Sequence, residues 1–198
     1  MKREQIVVID TETGGLDPYH HSLLSIGLVS WCGRYQTELF VIEDELNTNP
    51  RSMEINKIDL NWLKTVGKSP ADVCDQIDHF IQELPVHPVI FAGHNIAFDL
   101  AFLKRLYHLA SRALPSTISH RSLDTHTLLW LLSDRQGGDA HLCTSDGAFQ
   151  HFGVSPPEQL RHTALGDAMA TRDLLVQLLD QLNAPLNASL SDKTQVYL

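Results

Sequence analysis

The chain is short of positive charge, of cysteine and of long apolar runs, and each shortage closes off a class of function. Lysine and arginine together number 15 against 24 aspartates and glutamates, a formal net charge of −9. That balance excludes a broad electrostatic grip on nucleic acid, which needs many phosphate contacts. It leaves room for an enzyme that holds one chain end through few, salt-sensitive contacts. Cys32, Cys74 and Cys143 are odd in number, far apart and never in a Cys-x-x-Cys pair. They read as reduced thiols of a cytoplasmic protein, not as a disulfide frame or a zinc knot. No apolar run approaches the length of a membrane span, and Met1 to Gln5 leads directly into a strand-like segment, so neither a membrane protein nor a signal peptide is expected.

What remains is an ordinary globular composition, with 43% hydrophobic and 20% charged residues over 198 positions. A single domain of that size buries ~70% of its unfolded surface. Gln5 to Asp10 reads as a strand buried on both faces, because Ile6, Val7, Val8 and Ile9 run without a polar break. Gly14, Gly15, Asp17 and Pro18 mark a loop. Ser22 to Trp31 and Tyr35 to Ile42 are two further strands, joined by a hairpin turn at Cys32-Gly33-Arg34. Helices then dominate. Ser69 caps a helix that has Pro70 in its first position and runs to about Leu84, with Val73, Ile77, Phe80 and Ile81 on its apolar face. Val89 to Ala92 is a short buried strand, and Asn95 is the expected cap of the helix that follows. Ser122 to Asp124 predicts another strand, leading into a helix through Leu132. Ser133 to His141 reads as a mobile loop, 146–152 as a short helix and 164–183 as a long one. Residues 1–183 form the expected domain, and 184–198 an extended tail. Strands first, then alternating strand and helix, imply a mixed sheet covered by helices.

Three stretches carry chemistry. Asp10 and Glu12 end the first strand two residues apart, on the same face, where they can share a cation. Gly14 and Gly15 follow, and would let a ligand approach the backbone closely. Asp99 sits in the first turn of its helix, and Asp167 sits early in the last helix, just after His162. Taken singly, Asp99 reads better as compensation of a helix dipole, Asp167 has the same default reading, and His162 is more often a structural or surface histidine than a base. His94 and Asn95 read equally well as a local turn and a cap. Four carboxylates aimed at one point repel, however, and divalent cations would cancel that charge.

The order of the three stretches decides between these readings. Val8-Ile9-Asp10-Thr11-Glu12-Thr13-Gly14-Gly15-Leu16 resembles the first motif of the DEDDh 3′→5′ exonucleases, the DnaQ-like group. His94-Asn95-Ile96-Ala97-Phe98-Asp99 is similar to the second motif, and His162 followed five positions later by Asp167 to the third. The resemblance implies a ribonuclease H-like α/β fold, its five-stranded mixed sheet built from three antiparallel strands and then parallel ones. It implies two Mg²⁺ or Mn²⁺ ions ~4 Å apart. Asp10 would bridge both ions, Glu12 and Asp167 would hold the one that activates water, and Asp99 would serve the other. His162 would be the general base, and the products would be nucleoside 5′-monophosphates. Thr13 and Gly14 would approach the terminal 3′-hydroxyl through backbone groups, with Leu16 and Phe98 packing on the last bases and His94 and Asn95 beside them. Ordinary core packing is the alternative for Leu16 and Phe98.

Where proofreading members carry His-Gly-Ile, the matching region here reads Glu54-Ile55-Asn56-Lys57-Ile58-Asp59-Leu60, which favours a free-standing enzyme. The expected substrate is a single strand with a free 3′ end, DNA slightly ahead of RNA. An exoribonuclease and a non-catalytic nucleic-acid-binding subunit are the alternatives. A second copy of the chain or a polymerase-type protein is the expected class of protein partner.

Overall fold

The computed structural model describes residues 2–160 and 163–183. Its centre is β1 (Ile6–Thr13), flanked by β2 (Leu23–Ser30) on one side and β4 (Val89–Gly93) on the other. The sheet is completed by β3 (Gln36–Phe40) and β5 (Ile118–Asp124), in the order β3-β2-β1-β4-β5. Strands β1 to β3 pair antiparallel, while β4 lies parallel to β1 and β5 parallel to β4. This is the mixed sheet expected from the order of elements.

Both faces of β1 are covered, which is why its sequence is apolar without alternation. Val7 and Ile9 face a core formed with α3 (Pro70–Gln82) and α4 (Ala97–Leu109). Ile6 and Val8 face Ala168 and Leu175 of α7 (Ala164–Asn183). A third cluster packs α7 through Leu174 and Leu178 onto α5 (Thr125–Gln136) and α6 (Ser145–Phe152). The Ser69 side chain accepts the Asp72 amide and Pro70 opens α3, as the sequence implies.

Several expectations need correction. Asn95 does not cap α4 with its side chain; it adopts a left-handed conformation at φ 53°, and Ile96 is the residue at the cap. Its amide instead donates to Asp124 Oδ1 at 3.0 Å, which turns the chain between β4 and the helix. The segment Ser133 to His141 is not one loop: α5 continues to Gln136 and closes on Gly137, and 140–143 form a 3₁₀ turn. Ser133 is buried and donates to the Asp139 carbonyl, an anchor that composition does not announce. Two short helices went unread, α1 (Pro50–Asn56) and α2 (Leu60–Val66), because neither is long enough to show helical periodicity. Their caps, Asn49 and Asp59, were the available signals. The predicted tail, 184–198, lies outside the described residues.

One position holds the layers in register. Gly27 of β2 pairs with Asp10 of β1 on one side and with Glu38 of β3 on the other. A Cβ on Gly27 would fall on the Ala164 carbonyl at the start of α7. The missing side chain is what lets α7 settle against the sheet with Asp167 in its first turn. Gly27→Ala is therefore expected to lose roughly 1–3 kcal/mol of stability, read as a fall of several degrees in Tm. An unchanged melting curve would show that α7 does not depend on this close approach.

Candidate active site

Strand periodicity sorts the carboxylates. Even-numbered residues of β1 face α7, so Asp10 and Glu12 meet Asp167 there, and an oxygen from each of the three lies within 4.8 Å of the others. Odd-numbered residues face α3 and α4, so Thr11 turns to the opposite side and donates its hydroxyl to Asp99 Oδ1 at 2.7 Å. Asp99 is buried in the first turn of α4 and reaches the end of β1 from that side. The four predicted carboxylates thus converge on one strand end from two helices. His162 lies outside the described residues. Its neighbour Thr163 lines a cavity of about 300 Å³ beside Glu12, together with Ser25, Glu38, Asn56 and Trp62.

Electrostatics make the corner unfavourable for charge. Burial, then the charges of Asp99, Asp167, Glu12 and Glu38, hold the Asp10 carboxyl well above its ordinary range. Burial, reinforced by Asp167, Glu38 and Asp99, pushes Glu12 up to about 8. Asp99 is pushed up to about 7, chiefly by burial, although the Thr11 hydroxyl offsets part of the rise. Glu38 is also raised, because of its own burial. The first turns of α4 and α7 favour negative charge at Asp99 and Asp167 but leave Asp10, Glu12 and Asp99 raised, and the donor set fits divalent cations, which such oxygens bind as hard ligands.

Four contributors were not read from the sequence. Glu38 joins the cluster because the row Asp10–Gly27–Glu38 crosses three strands on one face. Finding it needs the strand register, which no local pattern discloses. Thr11 orients Asp99, Asp124 adds charge near it, and the buried Asn56 amide donates to the Thr13 carbonyl at 3.0 Å. Beside Glu12, the Ser25 hydroxyl is buried without a hydrogen-bond partner among the described residues.

The remaining predicted positions divide. Leu16 is 79% exposed at the loop tip, so it is not core, whereas Phe98 is half-buried with its ring 5.0 Å from that of Phe102. His94 sits against Thr125, with Nδ1 3.2 Å from its hydroxyl, and burial lowers its pKa. The Thr13 hydroxyl donates to the Gly15 carbonyl. The Gly14 amide donates to Ser22, and its carbonyl accepts from Asn49. Gly14 and Gly15 are both enclosed: a Cβ at either position would strike the 47–48 backbone or the His21 ring. These glycines allow the loop to pack closely against its own neighbours.

A carboxyl raised in the folded state binds its proton more tightly there than in the unfolded chain. The stability it contributes is present below its unfolded pKa and lost as pH rises through its folded one. For Glu12 that window runs from 4.5 to about 8, and for Asp99 from 3.8 to about 7. Metal-free protein is expected to melt lower at about pH 8 than at about pH 5.5, by ~3 °C or more. Glu12→Gln should raise Tm at the higher pH and flatten the dependence. A wild-type Tm that did not fall with rising pH would contradict this electrostatic picture.

Comparison with known proteins agrees with the geometry. The RNase_T exonuclease family model matches residues 7–175. A Rhodobacter capsulatus protein named DNA polymerase III subunit epsilon-like protein is 30% identical over 181 residues, 90% of this chain and 24% of that protein. An Escherichia coli protein named 3′-5′ DNA exonuclease Cap18 is 29% identical over 110 residues, 54% of this chain and 59% of that protein. The match therefore spans 24% of the length of the first relative and 59% of the second. E. coli Exonuclease I, solved in complex with a dT13 oligonucleotide, shares the fold with a TM-score of 0.68 at 14% identity, over 89% of this chain and 40% of that one. With a match that runs from β1 into the last helix, the chain belongs to the RNase_T exonuclease family.

Proposed function

We propose that this chain is a metal-dependent 3′→5′ exonuclease that removes nucleoside 5′-monophosphates from the 3′ end of single-stranded nucleic acid, with DNA ahead of RNA. The observation that carries the reading is the gathering of Asp10, Glu12 and Asp167 within 4.8 Å, with Asp99 bound to the intervening Thr11. Two divalent cations, Mg²⁺ or Mn²⁺, supply Lewis-acid activation of water and stabilisation of the departing oxygen when bound. Asp10, Glu12, Asp167 and Asp99 are the residues that hold them. Cation binding and full ionisation of these raised carboxyls favour one another, so both strengthen towards neutral pH.

His162 takes the proton of the attacking water, a role suited to an imidazole near neutral pH. Its position in the sequence, directly before Thr163 of the cavity beside Glu12, supports that assignment. Leu16, exposed at the loop tip, packs on the terminal bases, and Phe98 borders them from α4. Thr13, Gly14, His94 and Asn95 shape the wall around the end of the strand and act chiefly by position, since the Gly14 amide and carbonyl already bond within the protein. The preference for DNA draws support from the relative named a DNA exonuclease and from the fold shared with the dT13-bound enzyme. Residues 1–183 make up the catalytic unit in this reading.

Purified protein with Mn²⁺ is expected to release mononucleotides from single-stranded DNA labelled within the chain, to stop on addition of chelator, and to degrade a matched RNA more slowly. Asp10→Ala should abolish release. His162→Ala should lower kcat by about 10²–10⁴-fold and change the pH–rate profile, leaving the acid limb that cation binding to the raised carboxyls imposes. Full activity in Asp10→Ala would overturn the site, and faster cleavage of RNA would transfer the enzyme to exoribonuclease chemistry.

A further inference from the structure

The groove outside α4 has no role in the reaction described so far. Its volume is about 670 Å³. It runs from the loop after the first motif, at Tyr19, along one stripe of the helix: Ala97, Ala101, Lys104, Arg105 and His108. Those positions recur at three- and four-residue intervals, so they share a face. Asp99, two residues after Ala97, is buried at the inner side of the same helix end.

We propose that this groove carries the stretch of a single strand that lies 5′ of the scissile phosphate, which makes the preferred substrate an oligonucleotide and not a dinucleotide. The inference rests on the exonuclease reading above and extends it. Direction comes from the two sides of β1. Glu12, Asp167 and the segment holding Thr163 stand on the α7 side, the side assigned to water activation. Asp99 stands on the α4 side, which is therefore the side of the leaving 3′-oxygen. That oxygen belongs to the rest of the strand, so the strand departs towards α4.

The groove suits what would lie in it. Asp99 is the only acidic residue of α4, and its outer stripe carries Lys104, Arg105 and His108, in a chain whose net charge is −9. Arg105 is held by Glu43, which fixes it against the groove wall, and Lys104 is exposed. The alanines at 97 and 101 leave a shallow floor. Tyr19 is 88% exposed. Its backbone is pinned nonetheless: its amide donates to Asp17 Oδ1, and the His20 and His21 amides donate to the Asp17 carbonyl. A rigid backbone presenting an open aromatic ring beside the Lys104 ammonium is an arrangement that stacks bases and contacts phosphates without regard to sequence. From Ala97 to Leu109 the helix rises ~18 Å, the length of about five stacked nucleotides.

The test measures kcat/KM with Mn²⁺ on dT2, dT3, dT5 and dT8, alongside the p-nitrophenyl ester of thymidine 5′-monophosphate, which reports chemistry without an upstream strand. For the wild type, kcat/KM should rise with length and level off near about five nucleotides, the span set by the helix. Tyr19→Ser and Lys104→Ala should lose roughly tenfold on dT8, the scale of one stacked base or phosphate contact, and leave ester hydrolysis unchanged. In Lys104→Ala the slope of log kcat/KM against log salt should flatten by ~0.7, the value for one phosphate on a single strand. Equal kcat/KM on dT2 and dT8, or variants that keep the wild-type length and salt dependence, would overturn the groove assignment and leave the exonuclease reading standing. A wild type that cleaves neither the ester nor any oligomer would overturn both.

Discussion

Mutual repulsion among buried carboxylates is the constraint around which this molecule is arranged. Apolar packing of Ile6 and Val8 against Ala168 and Leu175 draws α7 onto β1, and the same docking carries Asp167 towards Asp10 and Glu12. Burial raises the Asp10 and Glu12 carboxyls, and their neighbours raise them further. Each apolar side chain buried in that contact contributes ~1.5–3 kcal/mol, enough in sum to hold unfavourable charges together. The strain is local, at the one strand end where chemistry is proposed, and the rest of the sheet is conventionally packed. That is the expected distribution when a fold stores instability at a functional site.

Much of this was legible in the sequence, for identifiable reasons. The apolar run Ile6–Ile9 announced a central strand because both faces are covered, and Ser69-Pro70 announced α3 because cap and proline act within one turn. The motif acids were singled out by the resemblance of their three stretches, in order, to the DEDDh motifs, because the local pattern around each does not separate a ligand from a helix-dipole partner. What could not be read depends on contacts distant in sequence. Glu38 joins the site through strand register across Gly27, and Thr11 through a bond to a residue 88 positions away. The packing role of Gly14 and Gly15 was hidden for the same cause: the Asn47–Thr48 segment and the His21 ring beside them can be identified only in the folded chain. Asn95 shows a subtler failure, since a residue that commonly caps helices serves here as a left-handed turn tied to Asp124.

The acidity of the chain and its membership of a nuclease family are compatible once charge is considered locally. Attraction for a polyanion would come from cations held between carboxylates and from a few side chains near the strand, not from the surface as a whole. Such an enzyme engages a strand end weakly and releases it readily, unlike a protein that coats nucleic acid. The same economy of contact explains why a surface with 24 acidic residues does not exclude the proposed substrate.

The central claim, that burial and the repulsion ionised neighbours would exert favour protonation of these carboxyls until cations enter, is tested most directly by calorimetric titration of wild-type protein with Mn²⁺ in buffers of differing ionisation enthalpy. The account predicts that binding near pH 7 releases about one proton or more per protein, and that release declines towards zero near pH 9. Mn²⁺ binding with no proton release at pH 7 would show that these groups are already ionised, and would contradict the account.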